Sequence, residues 1–190
     1  MKEPIIYKIL IPLDILFMKL FKVKYIGKSN IPKNGSVILV GNHTSNLDAL
    51  LLMSSTNRCI HFLAKAELCR GLKKYFFKSI GIIPVDRKRK NPEAIKKSIE
   101  YLQNGSVIGI FPEATINRTN KIIMPFKKGA VRLAKDTNSY IVPFSITGKY
   151  KFLKKSVTIC FSKPYKVVDD IEKENIKLEN KIIKLIRSNS

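Results

Sequence analysis

Short apolar runs alternating with helix signals constrain this chain more than any other feature. Segment 36–41 (SVILVG) is continuously apolar, the pattern of a strand covered on both faces. Similar runs lie at 60–64, 81–85, 106–111, 140–146 and 156–161. Helix patterns separate them at 47–55, 72–79, 92–104 and 129–137, and Ile171, Leu178, Ile182 and Leu185 then repeat at helical spacing, predicting an amphipathic tail helix docked on the body. The helix at 92–104 has the clearest ends, with Asn91 as N-cap, Pro92 at the first helical position and Gly105 closing it. This order predicts an α/β fold: a single-domain sandwich with a largely parallel central sheet flanked by helices. A length of 190 residues suits one such domain. Functional residues of such sheets gather in the loops at strand ends.

The N-terminal segment stands apart from this alternation. On a helical wheel over residues 4–21, Ile5, Ile9, Leu13, Leu16 and Leu20 share one face, Ile6, Leu10 and Phe17 lie at its margin, and Lys8, Lys19 and Lys22 cluster elsewhere. Two readings fit: an amphipathic helix lying in a membrane interface, with lysines reaching lipid phosphates, or a helix packed on its own domain. Pro12 lacks the N–H that would bond the carbonyl of Lys8, which predicts a kink or break. The expected division is a membrane-association segment at 1–22 and the main domain at 23–190. No stretch approaches the roughly 18 uncharged apolar residues of a bilayer span. Asp14 interrupts the apolar run and no small-residue cleavage site follows it, so the segment does not read as a cleaved secretory signal.

Charge narrows the partners. Lys plus Arg number 36 against 14 Asp plus Glu, a formal net charge of +22. Beyond residue 168 acids and bases balance, so the excess lies before it. Such a field attracts nucleic acid, anionic phospholipid, acidic carrier proteins or phosphorylated metabolites. Nucleic acid is the poorest fit, because the chain has no Trp, no aromatic cluster of the RNA-binding type and no zinc finger. Cys59, Cys69 and Cys160 are odd in number and widely spaced, which predicts reduced thiols in a cytosolic setting and no metal site.

Three strand exits carry candidate chemistry. After 36–41 comes Asn42-His43-Thr44-Ser45-Asn46-Leu47-Asp48, and a helix starting near Asn46 or Leu47 would put Asp48 in its first turn. There it can accept the Nδ1 proton of His43, leaving Nε2 free to take a proton from a hydroxyl. Asn42, Thr44, Ser45 and Asp48 are equally ordinary loop and N-cap residues. Phe111-Pro112-Glu113-Ala114-Thr115 follows another strand, and Glu113 is the one acid between Glu100 and Asp136. It reads either as a local functional carboxylate or as a cap or ion-pair partner of Arg118 or Lys121. The third exit ends in Arg87, suited to gripping a phosphate bidentately, and Lys65 after the 60–64 run is placed to lie beside it.

Taken together, these blocks resemble the glycerolipid acyltransferases, specifically the 1-acyl-glycerol-3-phosphate (lysophosphatidate) branch. NHTSNLD resembles the family's N-H-x-S-x-x-D block, AKAEL followed by GIIPVDR its second, FPEAT its F-P-E-G-T block and IVPFSITG its fourth, in the expected order from about residue 30 to 148. The resemblance implies that His43 is the base activating the glycerol hydroxyl and Asp48 orients it. It further implies that Arg87 holds the acceptor's phosphate with Lys65 as helper, and that Glu113 contacts the glycerol portion, with Thr115 of the same block among the substrate contacts. Direct attack on a thioester leaves no acyl-enzyme, and backbone N–H groups would stabilise the oxyanion. No metal or organic cofactor is implied. The implied partners are a lysophospholipid acceptor, an acyl carrier protein or coenzyme A thioester as donor, and an anionic membrane surface. The implied location is peripheral or monotopic on the cytoplasmic face of the cell membrane.

Two departures from the pattern stand out. Ala114 replaces the usual glycine, losing easy access to positive φ, and Ile116 replaces the arginine that commonly follows the block, with Arg118 two positions on. These changes leave open a lyso-aminolipid or another lysophospholipid as acceptor, or a lipid-surface binding protein that keeps the fold without catalysis.

Overall fold

The computed structural model describes residues 5–69, 71, 75, 77, 79–86 and 91–189. Strands β1 (Lys24–Ile26), β2 (Val37–Gly41), β3 (Ile60–Lys65), β4 (Ile83–Val85), β5 (Val107–Ile110), β6 (Tyr140–Gly148) and β7 (Val157–Phe161) form one sheet in the order β1-β7-β6-β2-β5-β3-β4. Strands β6, β2, β5, β3 and β4 are parallel; β7 runs antiparallel to β6, and β1 pairs parallel with β7. The expected α/β sandwich with a largely parallel sheet is what forms. Helices α1 (Ile5–Lys19), α2 (Asp48–Met53), α3 (Pro92–Gln103), α4 (Gly129–Asp136) and α5 (Ile171–Asn189) cover its faces, and short 3-10 turns occupy Lys28–Asn30 and Ala66–Cys69. The helix predicted at 72–79 falls largely outside the described residues.

Alternation along β2 explains the two layers. All five of its residues are buried. Val37 and Leu39 join one core with Tyr7, Ile11 and Met18 of α1 and Leu51 and Leu52 of α2. Ile38 and Val40 join the other with Leu102 of α3, Val131 of α4 and Leu178 and Ile182 of α5. Full burial of each such side chain stabilises the fold by roughly 1.5–3 kcal/mol, so α5 is held by its apolar stripe as its spacing predicts.

Helix α1 has both a packed side and an apolar side turned outward. Its buried strip is Tyr7, Ile11, Asp14 and Met18, and the Tyr7 hydroxyl accepts the Ile60 N–H at 2.9 Å. Ile9, Leu13 and Leu16 of the predicted apolar face point away from the core, each more than half exposed. The helix continues without a break through Pro12, which lies with Lys8 on the exposed side. The Lys8 carbonyl loses its helical N–H partner there.

Two local features go beyond what the sequence shows. Asn91 is the N-cap residue of α3, as predicted, but its side chain does not bond the helix N-terminus; it accepts the Asp86 N–H at 2.9 Å and donates to the Asp86 carbonyl at 2.5 Å. Strand β1 has only three residues, too few for a period-2 pattern to reveal, and its place in the sheet comes from pairing with β7.

Candidate active site

β2 ends at Gly41 and delivers Asn42 and His43 to the edge of the sheet. A Cβ on Gly41 would lie 2.3 Å from the Phe144 ring, so only glycine lets the two strands approach there. Asn42 is buried and bonds both ways to Ile146 of β6: Nδ2 donates to its carbonyl at 2.9 Å and Oδ1 accepts its N–H at 2.8 Å. This pair of hydrogen bonds to the neighbouring strand holds the start of the motif rigid.

His43 and Asp48 meet as their spacing predicts. Asp48 is the first residue of α2 and fully buried, and the His43 Nδ1–Asp48 Oδ2 distance is 2.9 Å. The same oxygen accepts the backbone N–H groups of Thr44 at 2.5 Å and Ser45 at 2.8 Å. The other oxygen accepts the hydroxyls of Tyr150 at 2.7 Å and Thr44 at 3.2 Å. A carboxylate so surrounded acts as an acceptor, which assigns the proton of the shared bond to Nδ1 and leaves the Nε2 lone pair available. The imidazole stacks on Phe111, with centroids 4.2 Å apart and planes 19° from parallel, so its orientation is set from both sides.

Glu113 is buried, and both its oxygens bind backbone: Oε1 accepts the His43 N–H at 2.8 Å and Oε2 the Met124 N–H at 2.7 Å. It therefore pins the histidine's main chain, and Arg118 and Lys121 are not the partners it uses. Burial pushes its carboxyl up, and the two backbone hydrogen bonds oppose that rise. Ala114 adopts φ +60°, the left-handed conformation the usual glycine would take, so this turn survives the loss of glycine. Its N–H bonds the Phe111 carbonyl at 3.0 Å, and the Asn117 N–H bonds the His43 carbonyl at 2.8 Å, closing the loop over the histidine.

His43 also lines a cavity of about 550 Å³. Its wall is mainly apolar, drawn from Leu10, Leu13 and Phe17 of α1, Leu50 and Met53 of α2 and Phe62 of β3. Lys65, the last residue of β3, lies on the same cavity, half exposed and 3.6 Å from Glu67. An apolar slot with a histidine and a lysine on its lining suits an acyl chain whose reactive end meets the imidazole. Asp14 of α1 is set in the same wall.

The structure thus brings His43, Asp48 and Glu113 together and puts Lys65 on the cavity that His43 lines. Thr115 is exposed in the loop that follows Glu113. Arg87 lies outside the described residues. Among the described residues no group of three or more His, Cys, Asp or Glu side chains could hold a metal ion, and none of Cys59, Cys69 and Cys160 is in a disulfide. Sequence reasoning missed Tyr150, 102 residues from Asp48, for which no local signal exists. Burial beside Asp48 pushes its phenol well up, so it remains a donor.

A His–Asp pair bordering an apolar slot at the edge of an α/β sheet is the arrangement of an enzyme that activates a hydroxyl beside an apolar substrate. The acyltransferase family profile matches residues 22–147. The chain is 32% identical over 155 residues to a 1-acyl-sn-glycerol-3-phosphate acyltransferase of Bacillus subtilis, an alignment covering 77% of this chain and 75% of that protein. It is 32% identical over 145 residues to a protein of the same name from Borreliella burgdorferi, covering 75% of this chain and 58% of that protein. The crystal structure of a 1-acyl-sn-glycerophosphate acyltransferase from Thermotoga maritima has the same fold, with a TM-score of 0.76, 24% identity and coverage of 94% of this chain and 78% of that one. The chain belongs to the acyltransferase family, in the branch of the 1-acyl-sn-glycerol-3-phosphate acyltransferases.

Proposed function

We propose that the chain moves a fatty acyl group from an acyl thioester to the free sn-2 hydroxyl of 1-acyl-glycerol-3-phosphate, giving phosphatidate. The observation that carries this reading is the His43 imidazole, locked to Asp48 through Nδ1 and bordering an apolar cavity. Nε2 takes the hydroxyl proton as the oxygen attacks the thioester carbonyl. The tetrahedral intermediate then collapses, the C–S bond breaks, and the imidazolium returns the proton to the leaving thiolate. Asp48 stabilises the imidazolium, and Glu113 keeps the His43 backbone in place. These steps call on no metal or organic cofactor.

Arg87 is assigned the acceptor's phosphate, with Lys65 on the cavity as helper and Thr115 among the substrate contacts. The donor is an acyl carrier protein or coenzyme A thioester; both are anionic and suit the +22 charge. Acceptor and product reside in a bilayer, and no helix among the described residues is long and apolar enough to cross one. The outward apolar face of α1 and the lysines near it are the proposed means of peripheral docking on the cytoplasmic face of the membrane. A second acceptor class, lysolipids without a phosphate monoester, is favoured by one observation: Ile116 occupies the position of the usual arginine, and Arg118 is exposed.

The test is acyl transfer by purified protein on mixed vesicles, with a panel of lysolipids and both thioester types, run beside His43→Ala. Transfer to lysophosphatidate that disappears in the variant, with the circular dichroism spectrum unchanged, is the expected result. Appreciable turnover by His43→Ala removes the histidine as base. Transfer confined to phosphate-free lysolipids overturns the role of Arg87, and transfer to no lysolipid favours a binding protein of the same fold.

A further inference from the structure

The turn joining β6 to β7 is built unlike an ordinary surface hairpin. The last strand pair is Gly148 with Val157, and the Lys149 N–H closes the turn on the Ser156 carbonyl at 2.9 Å. At the tip Phe152 is 61% and Leu153 52% exposed. Single exposed apolar residues are common, but two large neighbours at the tip of a surface turn are not. Leu153 has φ +58°, a conformation in which glycine or asparagine would be relaxed and a leucine is strained. Lys149, Lys151, Lys154 and Lys155 surround the pair, all exposed, and no acid occurs between Gly148 and Phe161.

The tip is also fixed to the helix proposed to meet the membrane. The Leu153 N–H donates to the carbonyl of Leu20, just beyond α1, at 2.6 Å. Phe17 packs edge-on against Phe21 at 5.4 Å and Phe21 against Tyr150 at 5.8 Å, continuing the same join. Two apolar patches carried by segments more than a hundred residues apart thus form one connected surface rimmed by lysines.

We propose that the β6–β7 tip is a second lipid-inserting element, placing Phe152 and Leu153 in the headgroup–acyl boundary of an anionic bilayer beside the outward face of α1, with the four lysines on headgroup phosphates. This rests on the membrane-docking part of the proposed function. The occupant is a bilayer because the pattern pairs apolar side chains with flexible, surrounding ammonium groups that can reach up to phosphates, the arrangement by which amphipathic surfaces hold anionic lipid. The same turn carries Tyr150 to Asp48, so the inserting tip and the support of the His43–Asp48 pair are one mechanical unit.

The absence of tryptophan makes the test direct. Phe152→Trp gives a single reporter at the tip, and Leu16→Trp gives one on the outward face of α1. Each is titrated with phosphatidylglycerol/phosphatidylcholine vesicles, plain or carrying bromine at defined acyl depths. The expected result is a blue shift of the indole emission of the Phe152→Trp protein, with quenching by shallow bromines. Leu153→Asn, which relaxes the backbone while removing the apolar group, is expected to weaken vesicle binding at least about tenfold with the fold intact. An indole spectrum of the Phe152→Trp protein that ignores vesicles, whether or not the Leu16→Trp protein responds, overturns the proposal. So does shielding of the tip indole by self-association without lipid, or a Leu153→Asn variant that binds as tightly as the wild type. None of these readouts needs acyl transfer, so an inserting but inactive protein would sink the catalytic reading alone.

Discussion

Asp14 offers the sharpest physical test of how α1 is attached. It lies on the buried strip of the helix between Ile11 and Met18, 7% exposed, and among the described residues neither carboxyl oxygen has a hydrogen-bond partner. Burial pushes its pKa up to about 7. The unfolded chain would hold that group at about 3.9, so the folded state binds the proton more tightly, and folding stability falls as pH rises through the interval between the two values. Below about pH 4 both states are protonated and above about pH 7 both are ionised, so the loss is confined to that window. At about 1.36 kcal/mol per pH unit, the whole interval amounts to roughly 4 kcal/mol, of which about 3 kcal/mol falls between about pH 5 and pH 8. Asp14→Asn keeps the shape and removes the titration. Urea unfolding of both proteins followed by far-ultraviolet circular dichroism at four pH values across that range isolates the effect, because every other titrating group is common to both. The wild-type protein is expected to lose stability relative to Asp14→Asn by about 3 kcal/mol from the acid to the alkaline end. Stability curves that stay parallel throughout would defeat this account and place the carboxyl in contact with water or a cation. The functional corollary is that the α1 wall of the apolar cavity is held best when Asp14 is neutral.

Other consequences concern the histidine and its supports. Asp48→Asn replaces the acceptor facing Nδ1 and presents an amide to the N–H groups of Thr44 and Ser45; kcat for acyl transfer is expected to drop by on the order of 10³-fold or more, with the secondary structure retained. Tyr150→Phe removes one hydroxyl from Asp48, and a loss of about 1–2 kcal/mol in transition-state stabilisation, read as roughly 5- to 30-fold in kcat/KM, is expected, with a smaller change in thermal stability. Gly41→Ala drives a methyl group into the Phe144 ring and is expected to cost upwards of about 2 kcal/mol in urea unfolding. Ala114→Gly relaxes the turn at φ +60° and is expected to leave stability level or raise it by about 0.5–1 kcal/mol, measured in the same way.

How much could be read from the chain alone depends on the range of the interaction involved. Strand-type runs, the helix at 92–104 and the tail stripe rest on periods of two and 3.6 residues, which are local, and the structure reproduces them to within a residue or two at most ends. The five-residue spacing of His43 and Asp48 belongs to the same class. A strand exit followed by one turn of helix leaves few ways to arrange them, and the 2.9 Å contact follows. Glu113 could be recognised as an isolated acid with a local task, but its task, holding the N–H groups of His43 and Met124, depends on a contact across 70 residues of sequence.

The covalent order of residues therefore determines the strand and helix periods, the motif that joins His43 to Asp48 and the +22 net charge, because each is set by neighbours within a few positions or by composition. Folding in three dimensions decides which side of α1 faces the core, seats Asp14 among apolar side chains, sends Tyr150 to Asp48 and binds the β6–β7 tip to the end of α1. The last two contacts join segments more than a hundred residues apart, and they exist only once the sheet order β1-β7-β6-β2-β5-β3-β4 has brought the segments together. A helix with apolar residues on more than one side has no preferred inward face until the sheet beneath it offers Ile60 and its neighbours as a surface to cover.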